Sequence, residues 1–330
     1  MLTEKEVKEL CFHLPFPDSI PYFGIMKDPL EILPPSPIVP LRSPITEKAQ
    51  VELLIKRDDL LQPGDDQDLC GNKVRKLKYN LAAARSTGHD CLLTFGGAYS
   101  NHIAAVARAG RYFGFETIGV IRGEAHHPLN PTLSRAVANG MQLLYLDRST
   151  YRRKHLPEVI EPLRNQYGNF YLIPEGGTNE LALQGSEEII PEIESQLGRL
   201  PDHLTVTCGT GGTLAGMIRA CAGRSRLLGI SSLKGNFMTS EVQKWLGEAF
   251  PYQNWQVNSD YHFGGYAKFP GILRQFVYTF EQEHGILLDP VYTSKLAYGV
   301  LDLIEKGYFP KGSTVLMIHT GGLQGWMGIE

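Results

Sequence analysis

From residue 51 onward, short and nearly all-apolar segments alternate with helix-forming ones. This rhythm restricts the fold more than any other feature. "VELLIKR", "CLLTF", "ETIGVI", "MQLLYL", "NFYLIP", "HLTVTC", "RLLGISS" and "STVLMIH" read as strands. Between them, helices are expected from Asn72 to about Gly88, from Ser100 to Phe113, over "NPTLSRAVANG", over 157–167, across "LALQGSEEIIPEIESQL" and from "GGTLAGMIRAC". Two more are expected near 271–284 and 293–306. Strands apolar on both faces and separated by helices predict an α/β fold with parallel sheets covered on each side. In such folds a ligand sits beyond the carboxyl ends of the strands. Four loops at that place are rich in glycine: "FGGAYSN", "PEGGTN", "CGTGGTL" and "HTGG".

The 330 residues allow one large domain or two medium ones. A net charge of -3 argues against nucleic acid or anionic membrane as a partner. No run of eighteen apolar residues occurs, so no membrane helix is expected. Five cysteines without a C-x-x-C pair do not form a disulfide framework and fit reduced thiols in the cytoplasm. "MLTEKEVKEL" has no apolar core, so no signal peptide is expected; Thr3 and Glu6 have capping-box spacing for a helix over 3–12. "LPPSPIVPLRSPI" is too rich in proline for regular helix and should lie extended. No metal site is expected: His126 and His127 have no partner ligands, and Asp65 to Asp68 read as a solvated loop.

"HLTVTCGTGGTLAGM" is strand, loop and helix. Gly209, Gly211 and Gly212 let main-chain amides turn toward one point, Thr210 and Thr213 add hydroxyls, and the helix N-terminus adds positive potential. That combination suits a phosphate monoester, although a tight turn without a ligand uses the same glycines. The loop lacks the Gly-Lys-Ser/Thr of a nucleotide P-loop. Leu214 stands where a dinucleotide fingerprint needs its third glycine, which disfavours a nicotinamide oxidoreductase.

"LCGNKVRKLK" opens a helix, with Asn72 as its cap, yet places Lys73, Arg75 and Lys76 in the first turn. Cations are mildly unfavourable there. Lys73 and Lys76 share a face, and Arg75 is rotated about 200° from Lys73. Repulsion and burial would favour a neutral, nucleophilic amine. An amine for an aldehyde and a second cation for an anion would answer one cofactor, pyridoxal 5′-phosphate; a solvated basic helix end is the other reading. "GGAYSNH" places Ser100 and Asn101 where a helix begins. There they could hold a carboxylate and a phenolate oxygen, or simply cap the helix.

"GNKVRKL", "GGAYSNH", "TGGTLAGM", "DPVYTSK" and "HTGG" occur in this order. Together they resemble the family of 1-aminocyclopropane-1-carboxylate deaminase and D-cysteine desulfhydrase, within the fold type II pyridoxal-phosphate enzymes. The likeness runs from "PSPIVPL" through nearly the whole remaining chain. It implies two open, twisted, mostly parallel sheets flanked by helices. A small α/β domain over 76–168 would interrupt a large cofactor-binding domain made of 1–75 and 169–330, with the cofactor between them and the chain a homodimer. Lys73 would be the Schiff-base lysine. Asn101 would meet the cofactor's 3′ oxygen, and Ser100 the substrate carboxylate. Gly209, Thr210, Gly211, Gly212 and Thr213, with Lys76, would hold the phosphate. Tyr266 and Tyr292 would be the two active-site tyrosines, and Thr320 would face the pyridine nitrogen. For Tyr266, packing beside a Gly-Gly turn is an equal alternative.

The sequence departs from the ring-opening deaminases at Thr293, where they carry glutamate, and at "AY" before Ser100. A threonine hydroxyl stabilises a protonated pyridine far less than a carboxylate does. The implied reaction is therefore α,β-elimination from a small amino acid, as in D-cysteine desulfhydrase, giving a keto acid, ammonia and sulfide. Deamination of 1-aminocyclopropane-1-carboxylate is the alternative. A cofactor- or anion-binding protein without turnover is the alternative of another class.

Overall fold

The computed structural model describes residues 33–63 and 68–328. The expected helix over 3–12, and Asp65 to Gln67, lie outside the described residues. In chain order the elements begin with β1 (Ile38–Leu41), α1 (Pro44–Ala49), β2 (Glu52–Lys56), α2 (Asn72–Ser86), β3 (Cys91–Gly96), α3 (Asn101–Phe113) and β4 (Glu116–Arg122). They continue with α4 (Pro131–Ala138), β5 (Met141–Leu146), α5 (Arg148–Arg152), α6 (Pro157–Tyr167), β6 (Tyr171–Ile173), α7 (Glu180–Glu187), α8 (Ile189–Leu197) and β7 (His203–Cys208). The rest are α9 (Gly212–Cys221), β8 (Arg226–Ser231), α10 (Met238–Leu246), β9 (Trp255–Asn258), α11 (Gly271–His284), α12 (Thr293–Glu305) and β10 (Thr314–Ile318).

The chain divides into two compact units. Leu77–Gly177 carries a four-stranded, wholly parallel sheet in the order β5-β4-β3-β6. All six residues of β3 are buried, as the unbroken apolar run "CLLTF" requires. Ile32–Lys76 and Thr178–Ile329 form the other unit, with a six-stranded sheet in the order β1-β2-β10-β7-β8-β9. Only its edge strand β1 is antiparallel. Neighbouring residues go to opposite faces of this sheet. Leu53, Ile55, Val315 and Met317 enter one core, and Leu54, Leu316 and Ile318 enter the other.

The strand order of the larger sheet reverses between β10 and β7. The loops that leave the carboxyl ends of those two strands are where open α/β sheets bind their ligands. They are residues 209–211 after β7 and the "HTGG" segment after β10.

The structure corrects several expectations. The proline-rich segment is not simply extended. Pro40 sits in edge strand β1, where a missing N–H is tolerated, and Pro44 opens α1 behind a Ser43–Thr46 capping box. Asn72 is the first helical residue of α2 rather than its cap, and its N–H donates to Thr320 O at 3.1 Å. "LALQGSEEIIPEIESQL" divides into α7 and α8. Strand β9 and helix α10 have no counterpart in the sequence reading. Asp68 is buried rather than solvated.

Candidate active site

Helix α2 begins under constraint. Gly71 has φ +62°, and a Cβ there would stand 2.1 Å from Thr320 O. Glycine is thus required where the "CGNK" turn passes the "HTGG" loop. On the far side, a Cβ at Gly185 of α7 would lie 1.9 Å from Arg75 O. The first turn of α2 is held between these two close approaches.

The three cations in that turn face different surroundings. Arg75 is buried and bidentate on both sides. Its guanidinium donates to Asp58 (Nε–Oδ2 2.7 Å, Nη2–Oδ1 2.9 Å) and to Glu192 (Nη1–Oε1 2.7 Å, Nη2–Oε2 2.8 Å). Lys56 Nζ reaches Glu192 Oε2 at 3.0 Å, and Ser36 Oγ donates to Asp58 Oδ1 at 2.5 Å. Two buried cations, one buried carboxylate and the partly exposed Glu192 thereby form a balanced network. Burial pushes the Asp58 carboxyl up, but Arg75 and Lys56 hold it below the usual range. Sequence reasoning gave Arg75 no partner, because Asp58 and Glu192 are distant in sequence.

In Lys73 and Lys76 burial prevails and both values fall. Burial lowers the half-buried Lys73 amine to about 8. Burial first, and then the charge of Lys73, take the buried Lys76 well below the ordinary lysine value, against the pull of Cys208. A solvated basic helix end is not what the fold builds.

Lys76 Nζ donates to Thr178 Oγ1 at 2.9 Å and to Thr210 Oγ1 at 3.4 Å, and the two hydroxyls are 2.6 Å apart. Thr178 belongs to the "PEGGTN" loop and was not singled out in the sequence. Its signal was the glycine pair before it. Gly211 precedes α9 with φ +77°, and no side chain caps that helix. A Cβ at Gly212 would lie 2.5 Å from Thr178 Cγ2, and one at Gly209 would lie 3.1 Å from Tyr292 Cε1. Thr213 is buried in the first turn of α9. Uncapped helix amides, two hydroxyls and a buried amine form a donor set that fits a phosphate monoester.

Tyr292 caps α12 and is fixed by Asp289. Asp289 Oδ1 accepts from the amides of Val291 and Tyr292, both at 2.8 Å, and Oδ2 accepts from Thr293 N at 2.7 Å. Thr293 Oγ1 donates to Asp289 Oδ2 at 2.8 Å and accepts from Asp289 N at 2.8 Å. The Thr293 hydroxyl is thus turned into the cap. The Tyr266 ring meets the Tyr292 ring edge-on, with centroids 6.2 Å apart. Thr320 is buried beside Gly71. The larger unit therefore gathers Lys73, Lys76, Gly209 to Thr213, Tyr266, Tyr292 and Thr320.

Ser100 and Asn101 belong to the smaller unit. Ser100 is the N-cap of α3, accepting from His102 N at 3.2 Å and Ile103 N at 3.3 Å. Its O–H proton is still available to an anion. Asn101 is the first helical residue, where main-chain amides lack helix partners. His126 and His127 are exposed in a loop. Cys70 is buried. Among the described residues no helix is long and apolar enough to cross a membrane.

The sequence family of pyridoxal-phosphate dependent enzymes matches residues 31–321. A Pyrococcus horikoshii protein provisionally named as a 1-aminocyclopropane-1-carboxylate deaminase is 33% identical over 290 residues, covering 85% of this chain and 87% of that protein. An Arabidopsis thaliana protein named bifunctional D-cysteine desulfhydrase/1-aminocyclopropane-1-carboxylate deaminase, mitochondrial, is 32% identical over 299 residues, 83% and 73% of the two chains. The crystal structure of an ACC deaminase homologue superposes with a TM-score of 0.76 at 33% identity, over 90% of this chain and 92% of that one. The uncapped glycine turn, the buried amine pair and the sequence kinship lead to one conclusion: the chain belongs to the pyridoxal-phosphate dependent enzymes, in the family of the 1-aminocyclopropane-1-carboxylate deaminases and D-cysteine desulfhydrases.

Proposed function

We propose that the chain eliminates a β-substituent from a small amino acid, with D-cysteine as its type substrate and keto acid, ammonia and sulfide as products. The observation that carries this reading is the Thr293 hydroxyl. It is committed to Asp289, so position 293 offers no carboxylate to the cofactor ring. Deamination of 1-aminocyclopropane-1-carboxylate is the second reading, supported by the names of the relatives.

When bound, pyridoxal phosphate supplies an aldehyde that joins amines and a ring that spreads the electron pair left by a broken bond. The chain supplies the rest. Lys73, its amine lowered by burial to about 8, would carry the aldehyde, and either it or one of the two tyrosines would move the proton at the substrate α-carbon. Lys76, Thr178, Thr210 and the amides of 209–213 would hold the phosphate. Ser100 would bind the substrate carboxylate, Asn101 would orient the 3′ oxygen and Thr320 would face the pyridine nitrogen. Tyr292 and Tyr266 hold the leaving side of the substrate.

The same proposal includes a homodimer and a cytoplasmic location. The four described cysteines are buried thiols, which suits a reducing compartment.

The test is to load the protein with pyridoxal phosphate, reduce with borohydride and map the modified lysine. D- and L-cysteine, serine analogues and aminocyclopropane carboxylate are then offered, with keto acid, ammonia and sulfide measured. A pyridoxyl group on Lys73 and sulfide from D-cysteine are expected. Modification elsewhere defeats the site assignment. Ring opening that outpaces sulfide release defeats the substrate assignment.

A further inference from the structure

Lys295 lies in the first turn of α12, one turn beyond Tyr292, and is completely buried. Burying an ammonium is costly, and an apolar side chain would fill the space more cheaply. Its Nζ donates to two main-chain carbonyls, Gly265 O at 2.8 Å and Ser232 O at 3.3 Å. Asp289 favours the charged form, but burial outweighs it and the amine falls to about 8.

The carbonyl at 265 belongs to an unusual segment. Phe263 (φ 52°), Gly264 (95°), Gly265 (117°) and Ala267 (55°) all occupy the left-handed half of backbone space. Phenylalanine and alanine enter it only against steric strain between Cβ and the main chain. Such conformations persist only when the surroundings over-determine them. The local turn bonds, Gly265 N to His262 O and Lys268 N to Gly265 O, stay within the segment. Lys295 ties it to the helix that carries Tyr292. Tyr266 lies within the segment, is 45% exposed and meets the Tyr292 ring edge-on.

We propose that Lys295 is a positioning residue: by holding the Gly265 carbonyl, its ammonium fixes the strained 263–267 segment and thereby sets Tyr266 against Tyr292. The inference rests on the reading above in which both tyrosines act on the substrate. Lys295→Met keeps the side chain out to the ε position and removes the donor.

The first readout is amide hydrogen exchange of the holoenzyme and needs no turnover. Exchange over 263–267 should rise in Lys295→Met while α12 stays protected. Wild-type protection of 263–267 would overturn the proposal. The second readout is a double-mutant cycle with D-cysteine. Lys295→Met should lower kcat by about a hundredfold, the scale of a 1 Å misplacement. In a Tyr266→Phe background the same substitution should cost no more than about twofold, because coupled residues are not additive. Penalties that multiply would overturn the proposal.

If Lys295→Met does not fold, Gly265→Ala perturbs the segment from the other side, at φ +117°. It should reproduce both the exchange pattern and the non-additivity with Tyr266→Phe; a multiplying penalty there overturns the proposal too. If the wild type turns over no amino acid, the functional reading fails. The exchange experiment still decides whether Lys295 holds the segment.

Discussion

The Arg75 guanidinium grips the Asp58 carboxylate through two hydrogen bonds, 2.7 and 2.9 Å long, with both side chains out of solvent. Arg75 lies between Lys73 and Lys76 in sequence, so this grip fixes the rotation of the helix that carries both amines. Arg75→Met strands Asp58 and half of Glu192 in the interior. Breaking a buried pair by removing one partner costs about 3–5 kcal/mol. Urea melts of wild type and variant measure it. A loss below about 1 kcal/mol, the range of surface pairs, would show that the helix is held by packing alone.

Gly185→Ala should be damaging although alanine is the better helix former. Its Cβ would meet Arg75 O at 1.9 Å and Arg75 C at 2.7 Å, both main-chain atoms that cannot swing aside. Overpacking of this kind costs about 1–3 kcal/mol. Because α2 must shift, affinity for pyridoxal phosphate should fall with it, as read by fluorescence titration. Alanine that leaves both quantities untouched would contradict the close approach.

Thr178→Val preserves shape and removes one hydroxyl from the group around Lys76. Thr178 Oγ1 bonds both Lys76 and Thr210. A hydrogen bond to a charged group contributes about 1.5–3 kcal/mol. The cofactor should bind at least roughly tenfold more weakly, at about 1.4 kcal/mol per decade. Inorganic phosphate should compete less well in the variant. Unaltered competition would place the phosphate elsewhere.

The Lys73 amine gives a pH signature. Its value is lowered by burial to about 8, so the neutral fraction climbs as pH rises to 8 and then levels. The rate at which apoprotein captures pyridoxal phosphate should rise roughly tenfold per pH unit below that point and flatten above it. Stopped-flow absorbance from pH 6 to 10 measures it. A rate that keeps climbing toward the ordinary lysine value would mean that Lys73 is solvated.

Thr293→Val addresses the cap under Tyr292. It removes a donor from Asp289 Oδ2 and the acceptor of Asp289 N. Leaving buried polar groups unmatched costs about 1–3 kcal/mol. Stability should fall by that amount, and kcat for D-cysteine should drop with it, since Tyr292 begins the same helix. Thermal melts and steady-state kinetics separate the two effects.

Most of the fold was legible because its strands are buried on both faces and so appear as unbroken apolar runs. Where that condition fails, the pattern disappears. Edge strand β9 reads Trp-Gln-Val-Asn and is only partly buried, and α10 buries little beyond Met238 and Val242. Neither stands out from a polar loop. The site divides in the same way. Lys73 and Lys76 could be paired from helix geometry, and the glycine turn from its composition. Arg75 could not be assigned because its partners are 17 and 117 residues away. Thr178 approaches Thr210 from 32 residues away, and Lys295 grips main-chain carbonyls 30 and 63 residues away, which have no side-chain signature.

Strand β10 lies between β2 and β7, and Thr314 meets Glu52 across 262 residues of chain. During translation, β2 must therefore wait with one flank unpaired until the chain through β10 has emerged from the ribosome. The larger sheet cannot assemble vectorially, strand by strand. Its nascent intermediates display an open apolar edge until β10 arrives, whereas the pairing of β3 with β6 in the four-stranded sheet closes over only 79 residues, so the larger unit is the slower and more aggregation-exposed of the two to assemble.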